Sequence, residues 1–499
     1  MGGVMQKLWG FALLVLLLWA AGCGGGGSST TPPPQPDVNV QISSTTGGLL
    51  LNVAMSTSFQ PAEWDYQFFT DNPGATTTLG NLMPQHVRLQ AVSQGVPQTS
   101  ASTWDFSTED AITQPVLGVG DHSPEFQIAV APAFMYGANQ TFLDPTYAQF
   151  AAYTQDLVLY YNKGGFTSTD GTFHVSQAYP NQTITWWGIY NEPNFNNLDP
   201  AQYTQLYNVV VPAMQSVDSS LKFAAVELGD YSGLAQTYLP DFVSGVTAKV
   251  DVLATHFYSS CDQSDPDTKV FGTVPGFATE VQSIQAQMKT NPALATVPVW
   301  VLENNVNADY ANSNGDSTCN PGQPFVTDLR GSSPFFAAWR PYVFSQLGKV
   351  GAQALYHWDF DADAQYGEVN YSNDAIQLSY WVDYWLARMF PSPPGASILN
   401  FTNSDDADIE VLPVQNPDSS VVIMLANHSV QSTTDNNGPG APHVIGLDLT
   451  ALPTFQTGSL LTIDATTSVS QGPSAVTVTP SSQMTVTLNG YGVAFLTLK

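Results

Sequence analysis

The chain has 499 residues, with 12 Lys+Arg against 41 Asp+Glu, a net charge of −29 and only 11% charged residues. No basic stripe exists to meet phosphates, which excludes a nucleic-acid partner and adsorption to an anionic membrane through a basic face. Hydrophobic residues at 43% allow a large core, and the polar surface falls to Ser, Thr, Asn and Gln, as suits an exported protein.

In chain order, Lys7 precedes an apolar run, Leu8 to Gly22, that is shorter than the roughly 20 residues of a membrane-spanning helix. The run ends in Ala20-Ala21-Gly22-Cys23 and reads as a lipoprotein signal over residues 1–22, with Cys23 as the lipidated residue. An ordinary signal peptide with an incidental cysteine is the alternative. Residues 23–37 form a Gly/Ser/Thr/Pro tether, a composition that cannot build a core. Lipidation would fix the protein to the cell envelope, with Gly24 pointing to the outer membrane of a Gram-negative host. That anchor is the only membrane contact expected.

Beyond the tether, Val38 to Ile42 alternates like a short strand. Eight apolar strand candidates follow: Leu49–Ala54, His86–Val92, Phe126–Ala131, Thr183–Tyr190, Lys222–Val226, Val250–Ala254, Val297–Leu302 and Ala352–Tyr356. Helical periodicity occupies Pro145–Tyr161, Tyr203–Val217, Thr279–Met288, Pro334–Leu347 and Leu378–Met389. Strand-helix alternation implies parallel strands, and eight units fit an α/β fold, the (β/α)8 TIM barrel, with its active site at the C-terminal strand ends. A doubly wound sheet is the alternative, but no Gly-rich phosphate loop follows an early strand. From about residue 397 only short β segments remain. The expected layout is a barrel over 38–396 and an antiparallel β-sandwich over 397–499.

The chemistry gathers at strand ends. The chain has nine glutamates, so each well-placed one is informative. Trp186-Trp187-Gly188-Ile189-Tyr190-Asn191-Glu192-Pro193 is an apolar strand ending in a carboxylate, and Val299-Trp300-Val301-Leu302-Glu303-Asn304 is a second. On a barrel both project from one face. Two carboxylates across a small cleft are what glycoside hydrolysis needs, one to protonate the leaving oxygen and one to attack the anomeric carbon or activate water. No cofactor is called for, and no Cys/His spacing resembles a metal site.

Asn191-Glu192-Pro193 resembles the acid/base motif of clan A glycoside hydrolases. The longer Tyr190-Asn191-Glu192-Pro193-Asn194 is similar to glycoside hydrolase family 39, which contains β-xylosidases and α-L-iduronidases. Six further positions match the clan pattern over about residues 48–395. Arg88 matches the strand-two arginine, His256 and Tyr258 the strand-six His-x-Tyr, Glu303 the strand-seven nucleophile, and Trp358 the strand-eight aromatic platform. Asn191 matches the residue that holds the sugar 2-hydroxyl. The resemblance implies a retaining glycosidase acting on a carbohydrate, with Glu192 as acid/base, Glu303 as nucleophile, and Arg88, Asn191, His256, Tyr258 and Trp358 around the substrate. The residues Asn304-Asn305 stand where family 39 usually shows an aromatic residue or Phe-Asn.

Glu227 and Glu368 also follow apolar strands and are candidates to line the site. Asp359, Asp361 and Asp363 have the spacing of a Ca-binding loop, and the plainer reading is a solvated acidic loop. On a barrel the loops carrying Cys261 and Cys319 follow adjacent strands, so an exported chain is expected to join them in a disulfide. The rival functional class is a non-catalytic, lipid-anchored glycan-binding protein on the same scaffold.

Overall fold

In a computed structural model the described residues are 35–499, apart from 60–66, 83–85, 91–95, 120–123, 197, 230–233 and 393–394. The signal run, Cys23 and the tether up to residue 34 lie outside them. The alternating strands and helices form a closed, all-parallel eight-stranded barrel. In chain order its strands are Ala54–Phe59, Val87–Leu89, Glu125–Ile128, Trp186–Ile189, Lys222–Gly229, Val252–Ser260, Val299–Asn307 and Ala354–His357. The eighth closes on the first through Tyr356↔Ser56 and His357↔Thr57.

Each strand is buried on both faces, as a parallel strand between a helix layer and a filled interior must be. Ala54, Ala224, Val252, Ala254, Trp300, Leu302, Ala354 and Tyr356 form their own buried cluster near the strand starts. They plug the barrel floor and leave the strand ends free for polar groups.

The helices show their sequence logic at their caps. Pro200–Val217 starts with a capping box, in which the Asp199 side chain accepts from the Gln202 backbone N–H at 2.8 Å and the Gln202 side chain answers the Asp199 N–H. Pro334–Lys349 begins behind the Ser333 cap with proline in its first turn. Asp267–Met288 starts twelve residues before the periodic stretch read from sequence. Its early half carries Gly272, Pro275 and Gly276, which mask the pattern. Ala75–Leu82, Ser107–Leu117 and Leu234–Gly245 were not expected as helices. All three are rich in Thr, Gly, Gln or Pro, whose intrinsic propensity argues against the helix that packing imposes.

The first strand corrects the expected division at residue 38. Val38–Leu51 is one long strand of the second sheet, antiparallel to Ala396–Asn403 and parallel to His443–Asp448. Leu49–Ala54 is therefore not a barrel strand. The true first barrel strand, Ala54–Phe59, reads AMSTSF, and its serines and threonine hide it from an apolar scan. Val38 to Ile42 shows the buried-exposed alternation of a sheet with one wet face. The second sheet has nine strands and is antiparallel except for that one pair. Helix Pro334–Lys349 ties it to the barrel. Gln346 Nε2 donates to Glu410 Oε2 at 3.0 Å, and Ser345 and Lys349 also donate to Glu410.

Candidate active site

The C-terminal strand ends deliver their carboxylates through local departures from regular strand geometry. Pairing between the sixth and seventh strands slips at Val301/Glu303, and between the fifth and sixth at Ala225/Leu228. Tyr190, Glu192, Val226 and Glu227 all have positive φ, at 71°, 42°, 78° and 42°. A β-branched residue such as Val226 adopts that conformation only when its surroundings impose it. The buried Tyr203 hydroxyl supplies part of that constraint. It donates to the Ile189 carbonyl at 3.0 Å and accepts from the Val226 N–H at 2.8 Å, clamping the fourth and fifth strands together. Bulges of this kind re-aim side chains, and here they bring Glu192, Glu227 and Glu303 to one centre.

Arg88 is the hub. Fully buried, it donates from Nη1 to Glu303 Oε1 at 2.8 Å, and from Nη2 to Glu227 Oε2 at 2.8 Å and Asn191 Oδ1 at 3.0 Å. Gln127 Nε2 also donates to Asn191 Oδ1, at 2.9 Å. Both bonds take the amide oxygen, and Asn191 lines the cleft. The Tyr258 hydroxyl donates to Glu303 Oε2 at 2.9 Å. His256 Nδ1 lies 2.9 Å from Glu192 Oε1 and 3.5 Å from Glu303 Oε2. One oxygen of Glu192, one of Glu303 and a His256 nitrogen fall within 4.8 Å of one another. That spacing would suit a divalent cation, but Arg88 and Tyr258 already occupy the two Glu303 oxygens.

The electrostatics separate the carboxyls. Burial raises the pKa of Glu303, yet the facing His256 and Arg88 charges and the Tyr258 hydrogen bond outweigh it, leaving Glu303 below the ordinary glutamate range. For Glu227 burial dominates over Arg88 and the balance is upward. Burial followed by the Glu303 charge pushes the Tyr258 hydroxyl well up, so it stays a donor.

A cleft of about 780 Å³ opens over this centre. Asn191, Glu192, His256, Tyr258, Glu303 and Trp358 all line it. Arg88 lies beneath, with its guanidinium 5.8 Å from the Trp358 ring centre. The two remaining glutamate candidates do not reach the cleft. Glu227 sits under it on Arg88, and Glu368 is buried against the Thr57 hydroxyl at 2.6 Å. Asp359 and Asp361 are fully buried, so the acidic stretch is not a solvated loop. The chain folds back there, with Asp361–Ala362 pairing to Val369–Asn370.

Cys261 and Cys319 are joined, with Cα atoms 5.6 Å apart. The bond ties the loop after the sixth strand to the loop after the seventh, and Cys261 itself borders the cleft.

Sequence reasoning missed several residues of the site. Phe195 and Tyr310 line the cleft while 58% and 52% exposed, and only their place just after strand-end motifs hinted at it. Arg340 is fully buried, grips Asp383 through two 3.0 Å bonds and donates to Asn304 Oδ1 at 2.5 Å. Asn304 in turn donates to the Phe257 carbonyl at 2.9 Å, so the residue after Glu303 is fixed from both sides. A lone arginine in the apolar helix segment PFFAAWRPYVF was the signal for it.

Comparison with known proteins agrees with the geometry. Residues 163–329 match the family model described as glycosyl hydrolase catalytic core, a span that contains Asn191, Glu192, His256, Tyr258 and Glu303. No curated protein sequence matches the chain. Among solved structures, a monomeric β-xylosidase from Caulobacter crescentus CB15 aligns at 14% identity and TM-score 0.63, covering 92% of this chain and 99% of that one. A GH51 arabinofuranosidase from Xanthomonas axonopodis pv. citri aligns at 12% identity and TM-score 0.64, over 93% and 100%. The GH39 enzyme of the same organism aligns at 15% and 0.60, over 93% and 98%. These likenesses fix the fold, barrel and sandwich together. The match over residues 163–329 and the shared barrel-and-sandwich fold together mark the protein as an O-glycosyl hydrolase.

Proposed function

We propose that the protein is a retaining glycosidase of oligo- or polysaccharides, working by double displacement with Glu303 as nucleophile and Glu192 as acid/base. The observation that carries this reading is the approach of the two carboxylates, one oxygen of each within 4.8 Å with His256 Nδ1 between them. Retaining enzymes hold their carboxyls about 5–5.5 Å apart, whereas inverting ones need about 6.5–9.5 Å to admit a water.

In the first step a Glu303 oxygen bonds to the anomeric carbon. The glycosidic C–O bond breaks, and its electron pair leaves on the oxygen that takes the Glu192 proton. In the second step Glu192 removes a proton from water, whose oxygen displaces Glu303 from the sugar. Arg88 and Tyr258 keep Glu303 anionic for attack, and Asn191 would hold the 2-hydroxyl. Trp358 offers a flat face to sugar C–H groups. The similar structures include a xylosidase, a xylanase, an arabinofuranosidase and a glucosidase, so a panel of the corresponding aryl glycosides and xylan is the starting screen. A non-catalytic binding role finds no favouring feature among the described residues.

Proton NMR of the first-formed sugar tests the mechanism. The product anomer should match the substrate, and an inverted first product refutes double displacement.

We also read the protein as exported and lipid-anchored through Cys23, on the strength of the apolar run, the small residues before Cys23 and the tether after it. Incorporation of labelled palmitate, lost in Cys23→Ser, is the expected result. Label retained in that variant would place the anchor elsewhere.

A further inference from the structure

Below the cleft lies a second pair of carboxyls that the two-step mechanism does not use. Glu125 starts the third barrel strand, pairs in register with Arg88, and is fully buried. Glu227 is equally buried and takes its donors, Arg88 and Gln127 Nε2 at 2.6 Å, on Oε2 alone. Gly188 on the fourth strand makes room for both. A Cβ there would stand 2.2 Å from Glu227 Oε1 and 3.0 Å from Glu125 Oε1, so the two carboxyls share the space that a side chain would fill. Glu125 accepts no well-formed hydrogen bond among the described residues, although the Tyr356 hydroxyl lies toward it.

Among the described residues the buried guanidinium beside this pair is Arg88. Facing it are Glu303 and Glu227 by direct bonds and Glu125 at longer range. His256 faces Glu303, Glu227 and Glu192 from the sixth strand, with Tyr258 beside it. Arg88 is shared among three carboxyls, two of them fully buried beneath the cleft, and two carboxyls sharing a buried site do not both ionise. Burial, then the Glu227 charge, drives Glu125 well above the ordinary glutamate range, which makes it the member that holds a proton.

We propose that Glu227 is a positioning residue that competes with Glu303 for Arg88, with a proton resident on Glu125 completing the charge balance. The inference rests on Glu303 being the nucleophile. In the free enzyme Arg88 is divided between two anions, which leaves Glu303 less stabilised and a stronger nucleophile than a one-to-one ion pair would. When Glu303 becomes the glycosyl ester its charge is gone, the negative charge having passed to Glu192. Arg88 then closes on Glu227 as a neutral pair, and no buried cation is left unpaired beneath the intermediate.

The test is the pH profile of kcat/KM in full-length Glu227→Gln and Glu125→Gln. Glu227→Gln hands Arg88 wholly to Glu303, so the acid limb should move down by about one pH unit, with a lower plateau. Glu125→Gln is isosteric with a protonated glutamate and should leave limb and plateau in place. An equal loss at every pH in Glu227→Gln, with the limb unmoved, overturns the proposal in favour of a merely structural role. If Glu227→Gln does not fold, infrared difference spectroscopy of the wild type against Glu125→Gln decides. The wild type should show the carbonyl band of a buried protonated carboxyl at neutral pH that the variant lacks, and absence of that band overturns the charge balance. Azide rescue of Glu303→Ala checks the underlying assignment separately. Rescue with a glycosyl azide of opposite anomeric configuration shows that Glu303 is the nucleophile, whatever Glu227 does.

Discussion

Gly229 ends the fifth barrel strand beside the carboxyl of Glu192, and Gly229→Ala should damage catalysis while sparing the fold. An alanine Cβ there would lie 2.4 Å from Glu192 Oε1, 2.6 Å from its Cδ and 2.6 Å from Phe195 Cε2. The backbone at Gly229 is not left-handed, so alanine adds no conformational strain. Both obstructing groups are the far ends of side chains and can swing away, which keeps the stability cost small. To reach ordinary contact the Glu192 carboxyl must retreat by about 1 Å, and a displacement of that size costs about 100-fold in rate. It also breaks the 2.9 Å approach to His256 Nδ1. The loss should follow the leaving group, because only poor leaving groups need the proton. In a series of aryl glycosides, kcat/KM should fall about 100-fold for the least acidic phenols and far less for the most acidic. A uniform loss across the series, or wild-type rates throughout, would refute the placement of Glu192 as the acid.

Other substitutions probe the rest of the site. Tyr258→Phe removes a hydrogen bond to a charged group, worth about 1.5–3 kcal/mol; the sign is opposite to that of Glu227→Gln, so the acid limb of kcat/KM should move to higher pH. Cys261→Ser with Cys319→Ser opens a loop spanning a sequence separation of 58, which in the chain-entropy picture costs about 4 kcal/mol. Calorimetry should show a lower melting temperature, and KM should rise as the cleft wall loosens. Glu109 is fully buried, and burial followed by the Asp110 charge raises its pKa well above the usual value. A raised carboxyl loses stability as pH climbs from the unfolded-state pKa toward the folded one. Glu109→Gln should therefore raise the melting temperature at neutral pH and leave it unchanged below about pH 4.

Seven of the eight barrel strands were legible because parallel strands buried on both faces are apolar runs, and Trp186–Ile189 and the Val299–Leu302 stretch of the seventh strand are nearly pure cases. The remaining one, the first barrel strand Ala54–Phe59, was hidden by the very feature that makes it useful. Its Ser58 hydroxyl donates to the Leu302 carbonyl at 3.1 Å, bonding the strand past the eighth to the residue before Glu303. The cleft residues were legible for a similar reason, since a carboxylate, histidine or arginine ending an apolar run stands out against a core. What a periodicity reading cannot deliver is depth. Glu192 and Glu227 both close apolar strands and both have φ near 42°, yet one lines the cleft and the other lies beneath it. The difference comes from partners far away in sequence. Gly229 leaves a gap that admits the Glu192 carboxyl toward His256, and Gly188 leaves one that admits Glu227 toward Arg88. Two glycines on neighbouring strands thus give Glu192 its room at the cleft and Glu227 its room beside Arg88 beneath it.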